Sequence, residues 1–243
     1  MTDYSYEERD AGEAIVFDDG TFGGFHVGYT ETIGGGMFLR AQLSADFGSV
    51  DYRAPDPAGD VTIRNVSQSI GQLELHFGKD FRIGGGATLT AFAGLGSRVL
   101  NDQSGGRVAS DGAVGYDREV AYAYVPLGLA ARVPVSKRSA ILFSGQYNWV
   151  VGGDSKAHFS DLDPELPDLK LDFNGGRGLE AGAAFQTALG KHAVSIGPFV
   201  RHWKIDQSDS FILTNPDDPT EALEIYEPRN STTELGLRLA FSF

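Results

Sequence analysis

Three small groups of side chains in this chain have types and spacings that could do chemistry. His158-Phe159-Ser160 sets a histidine two residues from a serine, in a segment rich in aspartate. A histidine can act as general base for a serine nucleophile. His202-Trp203-Lys204-Ile205-Asp206 sets a histidine four residues from an aspartate, and Asn101-Asp102 offers another acid. Asp and His together can activate a water molecule. Asp161-x-Asp163-x-Glu165 gathers carboxylate oxygens that suit Ca²⁺, without the glycine and distal glutamate of an EF-hand loop. The plainer readings are a solvated acidic loop for the first and third groups, and an interfacial aromatic belt for His202 and Trp203. His26, His76 and His192 are scattered and make no metal-ligand spacing. No phosphate loop, dinucleotide fingerprint or zinc motif occurs, so no cofactor is expected.

A fourth group is spread along the chain. Arg40, Asp46, Glu74, His76, Arg98, Glu180, Arg201, Glu234 and Arg238 sit among apolar residues that recur at every second position. The last ten residues show the pattern best: Leu235, Leu237, Leu239, Phe241 and Phe243 alternate with polar, charged or small residues. That is the period of a β-strand with one apolar and one polar face. Lipid-facing candidates of the same kind include Phe25, Val27 and Tyr29; Leu39, Leu43 and Phe47; Leu73, Leu75 and Phe77; Leu179 and Phe185. The charges between them then point inward. A slip of one residue would put them all in lipid, at about 2–4 kcal/mol each for an unpaired charge at the midplane. Inside, opposite charges could interlock as a plug or ring a narrow pore.

Strands are expected near 3–9, 20–32, 36–53, 62–81, 87–101, 114–133, 139–153, 175–189, 191–206 and 229–243. The connections alternate between short turns (33–36, 82–86, 135–138, 189–191) and longer segments rich in Asp, Gly, Pro and Ser (10–19, 54–61, 102–113, 154–174, 207–228). This predicts an all-β chain: one antiparallel transmembrane β-barrel over 1–243, of ten strands (eight as the alternative), with short periplasmic turns, long extracellular loops and both termini on the periplasmic side. Segments 154–174 and 207–228 are acidic, whereas the short turns carry Arg82, Lys137, Arg138 and Lys191. The outer rim is thus expected to be negative and the inner rim positive.

Composition is consistent with this. The 243 residues are 41% hydrophobic, with no apolar run long enough for a transmembrane helix, and a barrel hides from such a test because lumen residues dilute the lipid-facing ones. There are no cysteines, which excludes thiol and disulfide chemistry, and a net charge of -13 argues against a nucleic-acid partner. Met1-Thr2-Asp3-Tyr4 lacks the features of a signal peptide, so an export signal is expected to have been removed.

Gly94-Leu95-Gly96-Ser97-Arg98-Val99-Leu100-Asn101-Asp102, then Gly115-Tyr116-Asp117-Arg118-Glu119 and Tyr122-Ala123-Tyr124-Val125-Pro126-Leu127-Gly128, resemble a poorly characterised family of proteobacterial outer-membrane β-barrel proteins. These are small barrels of the OmpA-like and porin-like kind, with an Arg and Leu after a Gly-x-Gly strand and then a Gly-Tyr-x-Arg segment. The resemblance covers roughly the middle third and the last strand. It implies the fold and a bacterial outer-membrane location, and no settled activity. It also implies that Phe243 belongs to an insertion signal read by the barrel-assembly machinery. His158 and Ser160 resemble the catalytic pair of outer-membrane lipid A deacylases, and Asp and His at the outer end of a ten-stranded barrel resemble the omptin proteases, whose specific motifs are absent.

The leading expectation is a non-enzymatic barrel that anchors acidic surface loops, with a narrow pore or small-ligand site as an option. The alternatives are a surface hydrolase using His158 with Ser160 or His202 with Asp206, and an adhesin or receptor acting through 154–174 and 207–228. Expected partners are outer-membrane lipid and lipopolysaccharide, with divalent cations at the acidic loops.

Overall fold

The alternating segments do form strands, and the strands close. The computed structural model describes residues 1–214 and 222–243; Asp217, Asp218 and Glu221 lie outside the described residues. In chain order the strands are β1 (Thr2–Asp10), β2 (Glu13–Gly34), β3 (Met37–Ala54), β4 (Val61–Arg82), β5 (Thr88–Gln103), β6 (Arg118–Pro134), β7 (Ser139–Ala157), β8 (Leu169–Phe173), β9 (Gly176–Leu189), β10 (His192–Ile205), β11 (Phe211–Thr214), β12 (Ala222–Ile225) and β13 (Arg229–Ser242). β8 and β9 both pair with β7 and form one wall strand in two pieces. β11 and β12 pair with each other as a hairpin outside the wall. β1 pairs with β2 and β13, and β6 pairs with β5 and β7, so the sheet returns on itself as a closed ten-stranded antiparallel barrel.

Four expectations about the connections need correction. Segment 10–19 is not a loop. β1 turns into β2 through Ala11-Gly12, both at positive φ (47° and 92°), the backbone of a type I′ hairpin turn. Alternation of short and long connections therefore fails at the first loop-end connection. Segment 154–174 holds a shorter loop than expected, because Ala157 pairs with Leu169 and leaves 158–168 as the loop. β6 starts at Arg118, not near 114. Finally, Phe243 lies at the turn end as expected, but Met1 lies halfway up the wall, where its carbonyl accepts the Leu237 amide at 3.1 Å.

The barrel changes polarity along its axis. In the half near the short turns, the outward residues are apolar and the inward ones polar. Leu73, Leu75 and Phe77 are about half exposed, while Gln72, Glu74 and His76 are buried. Leu235 to Phe243 runs about 27 Å along the strand, which at the usual strand tilt makes this apolar band about 20 Å tall. Toward the loop end the arrangement inverts. Asp3, Ser5, Glu7 and Arg9 point outward from β1, while Tyr4, Tyr6, Val16, Phe22, Val50, Ile63, Val66 and Ile70 pack inside. A second interior cluster joins Val120, Tyr122, Tyr124, Val150, Phe173, Trp203 and Ile205. This end has the apolar core and polar exterior of a water-soluble barrel.

Gly96 shows how close the interior packing is. It lies opposite Tyr124 across β5 and β6, and an added Cβ would overlap the tyrosine ring. Gly96→Ala is expected to cost about 1–3 kcal/mol through overpacking, read as a lower urea midpoint of the refolded barrel.

Candidate functional site

The inward positions of β5, β9, β10 and β13 assemble a chain of alternating charge across the lumen. Arg98 Nη2 meets Glu234 Oε1 at 2.5 Å, and Glu234 Oε2 accepts from Arg201 Nη1 at 2.8 Å. Arg201 Nε donates to Glu180 Oε2 at 2.9 Å, and Arg238 Nη2 lies 3.5 Å from Glu180 Oε1. β5 and β13 are five strands apart in a ring of ten, so the Arg98–Glu234 pair joins opposite walls. Arg98 is 1% exposed, Glu234 2% and Arg201 4%, so the lumen is filled at this level. The Arg98 guanidinium also faces the Trp203 ring, 5.4 Å from its centroid, and Tyr122 and Tyr124 pack against the same indole at 5.1 and 5.0 Å.

Glu74 anchors a neighbouring set. Its Oε1 accepts from Gln146 at 2.7 Å, Tyr124 at 2.9 Å and Gln72 at 3.1 Å, and His76 Nε2 lies 3.5 Å from Oε2. Arg40 and Asp46, expected in the same network, stand apart. Arg40 donates to Thr30 Oγ1 at 3.0 Å, and both residues line a cavity of about 720 Å³ with His26, Gln42, Arg201 and Arg238. This cavity lies on the turn-end side of the plug and reaches the outer surface between β2 and β13.

A polar layer nearer the loop end was not anticipated from the sequence. Arg118 on β6 reaches Glu8 on β1, again from opposite walls, at 2.6 Å, with Glu227 at 3.9 Å. Gln68 donates to both Asp18 (3.1 Å) and Asp102 (2.6 Å). The arginines of the two resemblance segments, Arg98 and Arg118, are thus the two that cross the barrel. Their spacing in those segments was the available signal. Asp18 was hidden in a stretch taken for loop, and Glu8 in a strand whose charges broke the pattern.

The residues proposed for hydrolysis are placed as follows. His158 Nδ1 lies 3.1 Å from Asp168 Oδ2, and the Ser160 hydroxyl donates to Asp168 Oδ1 at 2.7 Å. The aspartate stands between histidine and serine, whereas serine activation needs the histidine between them. Asp168 is held below the usual carboxylate range by hydrogen bonds from the Ser160 hydroxyl and amide and from His158. The Ser160 hydroxyl is thus tied to the aspartate and not to the histidine. His202 faces outward, its Nδ1 2.9 Å from Thr233 Oγ1, and the Asp206 amide binds the Gly175 carbonyl at 3.2 Å. Trp203, expected beside His202 in an interfacial belt, faces inward and is 1% exposed. Asp161 and Asp163 accept the amides of Asp117 and Glu165, and no group of three or more potential metal-ligating side chains converges among the described residues. The expected Asp161, Asp163 and Glu165 cation site is therefore not assembled.

Ten strands closed antiparallel, with apolar residues outward and paired charges inward at one end, define a barrel of the outer-membrane type. The chain is similar in structure to the outer-membrane protease OmpT from Escherichia coli, with a TM-score of 0.64 over 100% of this chain and 96% of that one. Identity between the two is 10%, so the likeness establishes the fold alone. No protein-family model and no curated protein matches the chain.

Proposed function

We propose that this protein is an integral outer-membrane barrel whose lumen is plugged and whose work is done at its loop-end face. It is a rigid, non-enzymatic anchor that holds an acidic surface outside the membrane. The Arg98–Glu234 pair joining opposite walls carries this reading, because it fills the cross-section that a solute would have to pass. On this reading the apolar band contacts lipid. Lipopolysaccharide and its divalent cations meet the acidic loops, and the assembly machinery reads the last strand through Phe243.

The refolded protein is expected to give no single-channel steps in planar bilayers, and Arg98→Ala is expected to introduce them. Discrete steps from the unaltered protein would instead make it a channel. Lipid contact has its own test. Leu75→Arg, in the outward band, is expected to lower stability in vesicles by about 2–4 kcal/mol, whereas Ser67→Arg, outward on the same strand beyond the band, changes it by less than about 1 kcal/mol. Equal effects would place the band out of the membrane.

The hydrolase alternative retains one observation, the exposed His158–Asp168 pair, which could activate water without a serine. Hydrolysis of peptide or ester probes that disappears in His158→Ala would establish it in place of the anchor reading.

A further inference from the structure

Arg177 on β9 and Lys204 on β10 stand directly opposite each other, and both are exposed on the outer face of the wall. Trp149 of β7 flanks Arg177 on its other side and is also exposed. One step down the strands, His202 sits between Leu179 and Thr233. Its Nδ1 is 2.9 Å from Thr233 Oγ1, which leaves Nε2 for another partner. Like charges directly across a strand pair destabilise it. Among the described residues nothing offsets this pair: no carboxylate lies within salt-bridge distance of Arg177, Lys204 or His202. The acids of the same two rows lie beyond β13, at Glu7 and Asp19, and Glu7 is taken by Arg9. In a chain of net charge -13, two facing cations without a counter-charge stand out. The apolar band begins just beneath them, at the exposed Leu179, Val200 and Leu235. A low strip of small residues follows toward the turn end at Gly145, Ala181 and Ala183, beside Phe143 and Tyr147.

We propose that Arg177 and Lys204, with His202 beside them, seat the phosphate of a lipopolysaccharide headgroup in the outer leaflet, with one of its acyl chains lying on the strip of small residues below. The inference deepens the outer-membrane reading above and rests on it. That reading brings the lipid to the acidic loops through divalent cations, whereas this seat holds the phosphate directly. Residues opposite each other on neighbouring strands have Cβ atoms about 5 Å apart, so both long side chains can close on one phosphate group. The guanidinium can bind two phosphate oxygens at once, and the ammonium acts as a point charge on a third. Height supports the choice of a lipid. Headgroup phosphates lie just outside the hydrocarbon, and the two cations stand just above the first apolar row. Trp149 belongs at the same level, because an indole favours the membrane interface. A free anion would use the cations alone, whereas a lipid uses the cations, the indole and the strip together.

The chain's own tryptophans supply the readout, because Trp203 is buried inside and Trp149 lies beside the seat. The refolded full chain, in non-ionic detergent with EDTA, is titrated with bisphosphorylated lipid A and followed by tryptophan emission. A saturable change is expected. Arg177→Gln with Lys204→Gln should raise the half-saturating concentration by at least about 10-fold, near the worth of two basic residues at a membrane surface. Both positions are exposed, and relieving a like-charge pair should leave the fold intact, as the heat-modifiable gel shift will show. Lys191→Gln, which removes a cation at the turn end, should leave the titration unchanged. Stripping the phosphates from the lipid should weaken its binding to the unaltered chain by a similar factor, and should abolish the difference between that chain and the double variant. Equal binding by the double variant, equal binding of the dephosphorylated lipid, or loss of binding in EDTA would overturn the inference. So would inorganic phosphate that competes as well as lipid A, which would make this a seat for a free anion. Failure of the refolded chain to enter lipid vesicles is a separate result, and it would remove the outer-membrane reading and the inference with it.

Discussion

Glu234→Ala is expected to lower the stability of the refolded barrel by about 3–5 kcal/mol, the usual cost of removing one partner from a buried ion pair. Glu234 holds two arginines at once, Arg98 at 2.5 Å and Arg201 at 2.8 Å. Arg98 is fully buried and has no other carboxylate within salt-bridge distance among the described residues, so its charge is left uncompensated. Arg201 keeps Glu180. The damage should therefore trace to Arg98, and removing both charges should undo part of it. Arg98→Met with Glu234→Leu is expected to be more stable than Glu234→Ala alone, since apolar replacement of a buried pair is often near neutral. Urea unfolding in lipid vesicles, followed by the heat-modifiable shift on gels, measures both. A loss below about 1 kcal/mol in Glu234→Ala would mean that water already reaches the pair, and the plug argument would collapse with it.

The wall was legible in the sequence because lipid demands strict alternation, and alternation is what a chain displays most openly. Leu73, Leu75 and Phe77 fixed the phase of β4, and the same logic set Glu74 and His76 inside. What was harder to see is that the phase reverses within one strand. In β4 the inward positions are apolar at Val66 and Ile70, and the outward positions are apolar from Leu73 onward. The pattern breaks near Gly71 because the surroundings change there from water outside to the apolar band. A reading that assumes one polarity throughout takes Trp203 for a girdle residue and stretch 10–19 for a loop. The second error is physical too. Asp18, Asp19 and Gly20 look like turn residues, yet Asp18 is buried in the upper polar layer and hydrogen-bonded to Gln68. The arrangement of the hydrolytic candidates was illegible for a different reason. Spacing along the chain put His158 near Ser160, but which of three groups stands in the middle is set by the fold, and Asp168 arrives from ten residues away.

Stability is also expected to fall as pH rises from about 5 to 8, through Glu227. This residue clasps the base of the β11–β12 hairpin: its amide donates to Ser208 Oγ at 2.8 Å, and its carbonyl accepts the Ser208 amide at 3.1 Å. Its side chain is turned into the barrel mouth, where Ser155 donates to it at 3.1 Å. The nearby cation, Arg118, is 3.9 Å away and closer to Glu8, at 2.6 Å, while the Tyr6 hydroxyl is engaged with Glu8 at 2.8 Å. Burial therefore outweighs Arg118, and the Glu227 carboxyl is pushed up to about 7 from an ordinary 4.5, with Glu8 adding repulsion. A carboxyl whose folded pKa is raised favours the folded state in its protonated form. That contribution is complete below about pH 4.5 and is lost as pH climbs through 7, for a total of about 3 kcal/mol at most. Glu227→Gln keeps a neutral, hydrogen-bonding side chain and should remove this part of the slope. Other groups titrate in the same range, so the informative quantity is the difference between the two proteins in urea midpoint at pH 5 and pH 8. The Ser208 amide should follow it, exchanging faster at high pH than its intrinsic rate predicts in the unaltered chain and not in Glu227→Gln. Identical slopes in the two proteins would show that the clasp carries its charge without penalty and that Arg118 serves both acids.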